Sequence, residues 1–257
     1  FGSSSGVAEH KVYAPGDALR RLDWKAYARM DRYFVRRYED ETNLEVALVV
    51  DTSGSIAYAG GSKGSYGIAK LDAARTLAAA LAWMATQHSD APSVSLFAGD
   101  ERAFLPPRAR RDQLANVVDA LERSAADGKT SLRAALERTG ERLVRRALVV
   151  VIGDLIDAGP EALEPLGVLR RRGCDCIVLQ TLDRDELELP FDAVVKFEDL
   201  EGDREVQVDV PLVRDAYLDE MKKFLDGFRA EASKLDVRWH LAPTDVSPVE
   251  ILSEALR

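Results

Sequence analysis

Asp51-Thr52-Ser53-Gly54-Ser55 places one carboxylate and two hydroxyls at alternate positions of a short segment. Thr130 adds a third hydroxyl, in the loop Gly128-Lys129-Thr130-Ser131, and Asp154 adds a second carboxylate after Gly153. These are hard oxygen donors, the kind that suit Mg²⁺ or Mn²⁺. The candidate metal-ligating set is therefore Asp51, Ser53, Ser55, Thr130 and Asp154. Asp157 competes with Asp154, but Asp154 sits nearer the end of the apolar run before it.

Other chemistries fit these residues less well. A phosphate-binding loop needs a glycine five positions before Gly128-Lys129-Thr130, and Arg123 stands there. Gly60, Gly61, Gly64 and Gly67 do not form a dinucleotide fingerprint, so no bound nucleotide is expected. An aspartyl nucleophile in a haloacid-dehalogenase-like enzyme has a second aspartate two residues on, where this chain has Ser53. Two plainer readings stay open: a strand-to-helix turn capped by Asp51 and its serines, and a formed metal site that stays empty.

The donors need elements that bring them together. Leu44 to Val50 is an apolar run with one charge, Glu45, and reads as a buried strand ending at Asp51. Ala147 to Ile152 is a second, ending just before Gly153-Asp154. Strands are also expected at Tyr33 to Tyr38 (entering the core), Val94 to Phe97, Cys176 to Gln180 and Val237 to Leu241. Helices are expected at 70–87, 112–122, 131–145, 160–171, 215–235 and 248–256, with Leu71, Ala74, Ala78, Leu81 and Ala85 sharing one face of the first. Strands alternating with helices predict a Rossmann-like, doubly wound α/β fold with a mainly parallel sheet flanked by helices. Strand carboxyl ends in such a sheet share one rim, so Asp51 and Asp154 can converge. Segments 194–197 and 205–210 flank Glu201-Gly202-Asp203 and predict a β-hairpin insertion near 194–210. Trp83 and Trp239 are expected in the core.

Composition narrows the partners. Lys and Arg number 35 against 44 Asp and Glu, a net charge of −9, which argues against nucleic acid. Cys174 and Cys176 are too few for a disulfide framework and, with scattered histidines, for zinc. They read as buried thiols in a reducing, cytoplasmic setting. No apolar run is long enough for a membrane helix. Residues 1–9 begin FGSSSG and read as a flexible remnant or fragment end, which leaves room for a membrane anchor upstream. Residues 10–43 read as a separate segment packed on a main domain spanning 44–257.

The Asp-x-Ser-x-Ser motif, with Thr130 and Asp154, resembles the metal-ion-dependent adhesion site of von Willebrand factor A-type (vWA) domains. That resemblance implies a vWA-like fold, and Mg²⁺ held by Asp51, Ser53, Ser55, Thr130 and Asp154 with one position open to a partner's carboxylate. A second resemblance is narrower. Tyr13-x-Pro15-Gly16-Asp17-x-x-Arg20-x-x-Asp23-Trp24-x-x-x-Ala28-Arg29, then Val35-Arg36-x-Tyr38-Glu39, is similar to the bacterial family called domain of unknown function 58. Leu182-Asp183 and Glu198-Asp199-Leu200-Glu201 follow the same pattern. This resemblance implies a MoxR-type AAA+ ATPase as partner. Asp17, Arg20, Asp23, Trp24 and Arg29 are either a structural clasp or a partner-binding surface.

The expectation is a non-enzymatic protein–protein interaction module that captures a partner's acidic residue through Mg²⁺. The alternatives are a metal-independent scaffold and a metal-assisted hydrolase.

Overall fold

The computed structural model describes residues 9–12, 33–37, 43–61, 67–143, 146–198, 200 and 205–257, with backbone alone for 9–12 and 34–37. The chain divides into two units, Phe1–Thr42 and Asn43–Arg257. In the first, strand β1 (Glu9–Val12) pairs antiparallel with β2 (Phe34–Arg37). The expected strand at Tyr33 to Tyr38 thus exists in part but does not enter the large sheet. Its ladder runs to β1, and both edges of the central strand of the large sheet are taken by other partners.

The second unit is built on a six-stranded sheet. Its strands are β3 (Glu45–Asp51), β4 (Ala91–Phe97), β5 (Glu101–Leu105), β6 (Ala147–Gly153), β7 (Asp175–Leu182) and β10 (Arg238–Pro243). They lie in the order β10-β7-β6-β3-β4-β5. All pairs are parallel except β4–β5. The edge strand β5 is absent from the sequence reading because Glu101, Arg102 and its exposed flank carry no apolar alternation. The insertion forms its own sheet, β8 (Val194–Glu198) antiparallel to β9 (Glu205–Asp209), as expected.

Seven α-helices fall among the described residues: α1 (Lys70–Gln87), α2 (Gln113–Glu122), α3 (Leu132–Arg142), α4 (Glu164–Arg171), α5 (Arg184–Glu188), α6 (Val210–Lys234) and α7 (Pro248–Ala255). β3 shows how they pack. Val46, Leu48 and Val50 point to the layer of α1, α2 and α7, while Ala47 and Val49 point to that of α3, α4 and α6. Alternate residues of one strand therefore feed two separate cores, and each fully buried Val or Leu contributes about 1.5–3 kcal/mol. That is the doubly wound α/β architecture.

The apolar stripe of α1 explains one departure. Leu71, Ala74, Leu77, Ala78, Leu81 and Ala85 are buried, but Trp83 falls off the stripe and is 54% exposed. Trp239 is half-buried against the second core, and its Nε1 donates to Gln180 Oε1 at 3.0 Å. No helix among the described residues is long and apolar enough to cross a membrane.

β3 is where the strand order reverses. From it the chain moves outward to β4, then returns to β6 on the other side. Loops leaving adjacent strands part at such a point, and open α/β sheets bind ligands there. Asp51 and Asp154 leave these two strands.

Candidate metal centre

Asp51 is the last residue of β3 and fully buried. Its Oδ1 accepts the Ser53 N–H at 2.9 Å, closing an Asx turn. A 3₁₀ turn, Gly54–Ala57, then carries Ser55, whose Oγ lies 3.2 Å from Ser53 Oγ. Thr130 arrives from a separate loop, and its hydroxyl donates to Asp51 Oδ2 at 3.2 Å. Two backbone bonds strap that loop in place: Gly54 N–H to Gly128 O at 2.7 Å and Asp127 N–H to Thr52 O at 3.0 Å. Gly128 sits at φ +77°, a conformation that favours glycine.

Asp154 follows β6 and is also fully buried. The two strands approach closely here: a Cβ on Gly153 would stand 2.5 Å from the Asp51 Cβ. Asp154 Oδ1 accepts the Ile156 N–H at 3.2 Å, and Leu155 between them is held at φ +59°. Asp154 Oδ2 accepts from Lys70 Nζ at 2.8 Å. Lys70, the first residue of α1, is itself fully buried and donates again to Glu186 Oε1 at 2.6 Å. Glu186 is set by the capping box of α5. Asp183 accepts from the first turn of the helix, and Glu186 Oε2 accepts the Asp183 N–H at 2.8 Å.

The five expected donors thus gather at one rim, with Asp51 bonded to two of them. Asp157 is exposed and faces a neighbouring hollow. Lys70 and Glu186 are the members that the sequence reading missed. Asp183-x-x-Glu186 was the available signal for α5, since it is a capping box in plain sequence. Asp17, Arg20, Asp23, Trp24 and Arg29 lie outside the described residues. So do residues 62–66 of the glycine-rich stretch.

Charge decides what the site can hold. Burial, then the neighbouring Asp154, pushes the Asp51 carboxyl up to about 7, against the pull of its Ser53 and Thr130 hydrogen bonds. Burial also raises Glu186, with Lys70 opposing it. For Lys70, burial favours the neutral amine, but Asp154 and Glu186 outweigh it and hold the ammonium above its ordinary range. Among the described residues Lys70 is the cation paired with Asp154 and Glu186, and Asp51 lies beside Asp154. When ionised, these three described carboxylates outnumber that cation, an imbalance that a bound dication offsets. Among the described residues no three His, Cys, Asp or Glu side chains gather as a metal site of their own. Hydroxyls supply most of this donor set, which suits a hard, hydrated ion over zinc.

Residues 9–224 match the family described as protein of unknown function DUF58. The chain belongs to this family. Similar chains include the uncharacterized proteins Mb1516 of Mycobacterium bovis and Rv1480 of Mycobacterium tuberculosis. Each is 28% identical over 222 residues, covering 84% of this chain and 67% of the relative. Among solved structures, the conserved hypothetical protein BatB from Bacteroides thetaiotaomicron superposes with TM-score 0.57 at 19% identity, over 83% of this chain and 96% of that one. An aerotolerance-related membrane protein from Bacteroides fragilis gives 0.52 at 18%, over 83% and 99%. At such identities the likeness concerns the fold.

Proposed function

We infer that this DUF58 member is a non-enzymatic binding module that presents a divalent cation, Mg²⁺ or Mn²⁺, to a carboxylate of a protein partner. The observation that carries this reading is the cluster at the switch point: three hydroxyls and two carboxylates on one rim, with Lys70, among the described residues, shared by Asp154 and Glu186. Asp51, Ser53, Ser55 and Thr130 would hold the cation. Asp154, already bonded to Lys70, would contribute charge beside it. The bound cation supplies an electrostatic anchor for an acidic side chain. Ser53 and Ser55 keep that anchor at the rim: Asp51 fixes Ser53 through its Asx turn, and Ser53 Oγ lies within hydrogen-bond distance of Ser55 Oγ.

The donor pattern supports a vWA-like site, and the partner that the family resemblance favours is a MoxR-type AAA+ ATPase acting in assembly or remodelling. The buried thiols of Cys174 and Cys176, not joined in a disulfide, fit a reducing, cytoplasmic setting. The test is binding of a MoxR-type ATPase to the wild-type chain and to Ser53→Ala, both in Mg²⁺ and followed by interferometry. Binding should fall at least about tenfold in the variant, a loss of about 1.4 kcal/mol. Equal binding contradicts the reading.

Lys70 favours a second reading. Its ammonium already sits on Asp154, so the rim has a built-in cation. A metal-independent scaffold would then bind its partner equally well with Mg²⁺ or with a chelator.

A further inference from the structure

Next to the rim lies an open hollow of about 760 Å³, which starts at Ser55 and Tyr58. α5, the β8–β9 hairpin and α6 form its other sides. Leu189, Phe191, Phe197, Val208, Val213 and Tyr217 give it an apolar lining. Phe191 and Phe197 meet edge to face, with centroids 6.2 Å apart. Phe197 remains 36% exposed and Val213 38%, so large apolar surface is left to water. A hollow of this size falls in the range that binds ligands, about 300–1,000 Å³.

Its charge is one-sided. Asp157, Asp185, Glu186, Glu198 and Glu220 line it, and no Lys or Arg does among the described lining residues. Two of these acids are tied to the rim side. Glu186 shares Lys70 with Asp154, and Asp185 accepts from Tyr58 OH at 3.1 Å and from Gly61 N–H at 3.0 Å. The hollow and the candidate metal site therefore share a wall fixed by the Asp154–Lys70–Glu186 ion pairs and the hydrogen bonds of Asp185.

We propose that this hollow takes a segment of a protein partner in which large apolar side chains are flanked by Lys or Arg, lying beside the carboxylate held at the rim. The apolar lining supplies the anchor pocket, and the acidic surround selects cationic neighbours and repels acidic ones. The position of the carboxylate rests on the metal-site reading. The apolar and basic selection rests on the hollow alone.

The test is selection of a phage-displayed random peptide library on the whole chain in Mg²⁺. Wild type, Val213→Arg, Glu220→Lys and Ser53→Ala are compared after circular dichroism confirms that each is folded. Val213 and Glu220 are exposed on α6, so both changes are expected to leave the fold intact. Wild type should enrich peptides that combine Leu, Ile, Phe or Met with Lys or Arg and one acidic residue. A synthetic copy of the best peptide should bind at least about tenfold more weakly to Val213→Arg and to Glu220→Lys. Exchanging its basic residues for Glu should weaken it as much. Ser53→Ala should keep the apolar and basic selection and lose the acidic position. If wild type itself selects no acidic residue while the rest holds, the metal reading fails and the hollow stands. No enrichment, enrichment of acidic or purely polar peptides, or wild-type binding by both α6 variants overturns the proposal. So does a dimer in sedimentation that Val213→Arg dissociates, because a second copy would then fill the hollow.

Discussion

Lys70 Nζ lies 2.8 Å from Oδ2 of Asp154, and both side chains are buried. The same ammonium reaches Glu186, so one lysine at the start of α1 joins the end of β6 to α5. Removing a single member of a buried pair leaves its partner's charge uncompensated, at a cost of about 3–5 kcal/mol. Lys70→Met should lose stability of that order in urea denaturation without divalent cations. Added Mg²⁺ should restore part of it, because the variant's cluster carries more unbalanced negative charge. A loss below about 1 kcal/mol would mean that the cluster is not tightly coupled.

Gly153 makes the approach of β6 to β3 possible at the rim. A methyl group there would stand 2.5 Å from the Asp51 Cβ, too close for any rotamer of Asp51 to relieve, since Cβ is fixed by the backbone. Gly153→Ala should cost about 1–3 kcal/mol by forcing the strands apart. It should also weaken cation binding, because it displaces Asp51. Calorimetric unfolding and a Mn²⁺ titration of the same sample would separate the two effects.

The metal-free protein should lose stability as pH rises toward neutrality. The Asp51 carboxyl titrates near 7 in the fold, against an ordinary value of 3.8. The folded state therefore favours its protonated form. That contribution is fully present below about pH 4 and disappears as pH climbs through about 7. The difference in melting temperature between wild type and Asp51→Asn, in chelator, should shrink or reverse across that window. A difference that stays flat from pH 5 to 8 would contradict this, because the slope with pH measures the proton that the fold retains at Asp51.

Part of the rim is legible in the sequence. The apolar runs before Asp51 and Asp154 each end in oxygen donors, and parallel pairing puts such ends on one rim. Lys70 was not legible. A lysine opening an amphipathic helix is ordinarily solvated, and only the convergence of Asp154 and Glu186, 84 and 116 residues away, makes its burial affordable. The short helix α5 escaped because five residues hold too little periodicity, although Asp183 and Glu186 spelled its capping box. Trp83 shows a misreading of a real signal. The stripe through Leu81 and Ala85 excludes position 83, so its exposure was already implied by the 3.6-residue period.

Asp183 should prove a structural support of the acidic wall. It caps α5 and accepts the Thr244 hydroxyl at 2.7 Å, with both groups buried. Asp183→Ala removes the cap and strands Thr244, a combined loss of about 2–4 kcal/mol. Hydrogen exchange should then rise in residues 184–188 before it rises in β3 or β6. Uniform protection across these segments would contradict this role.

The central claim is that the rim binds a dication through the hydroxyls beside Asp51. It is tested most directly by isothermal titration of Mg²⁺ into the chelator-treated chain, wild type beside Ser53→Ala. One site should be filled in the wild type, and the variant should bind at least about tenfold more weakly, a difference of about 1.4 kcal/mol. No Mg²⁺ uptake by the folded wild type, or equal affinity in Ser53→Ala, would contradict it.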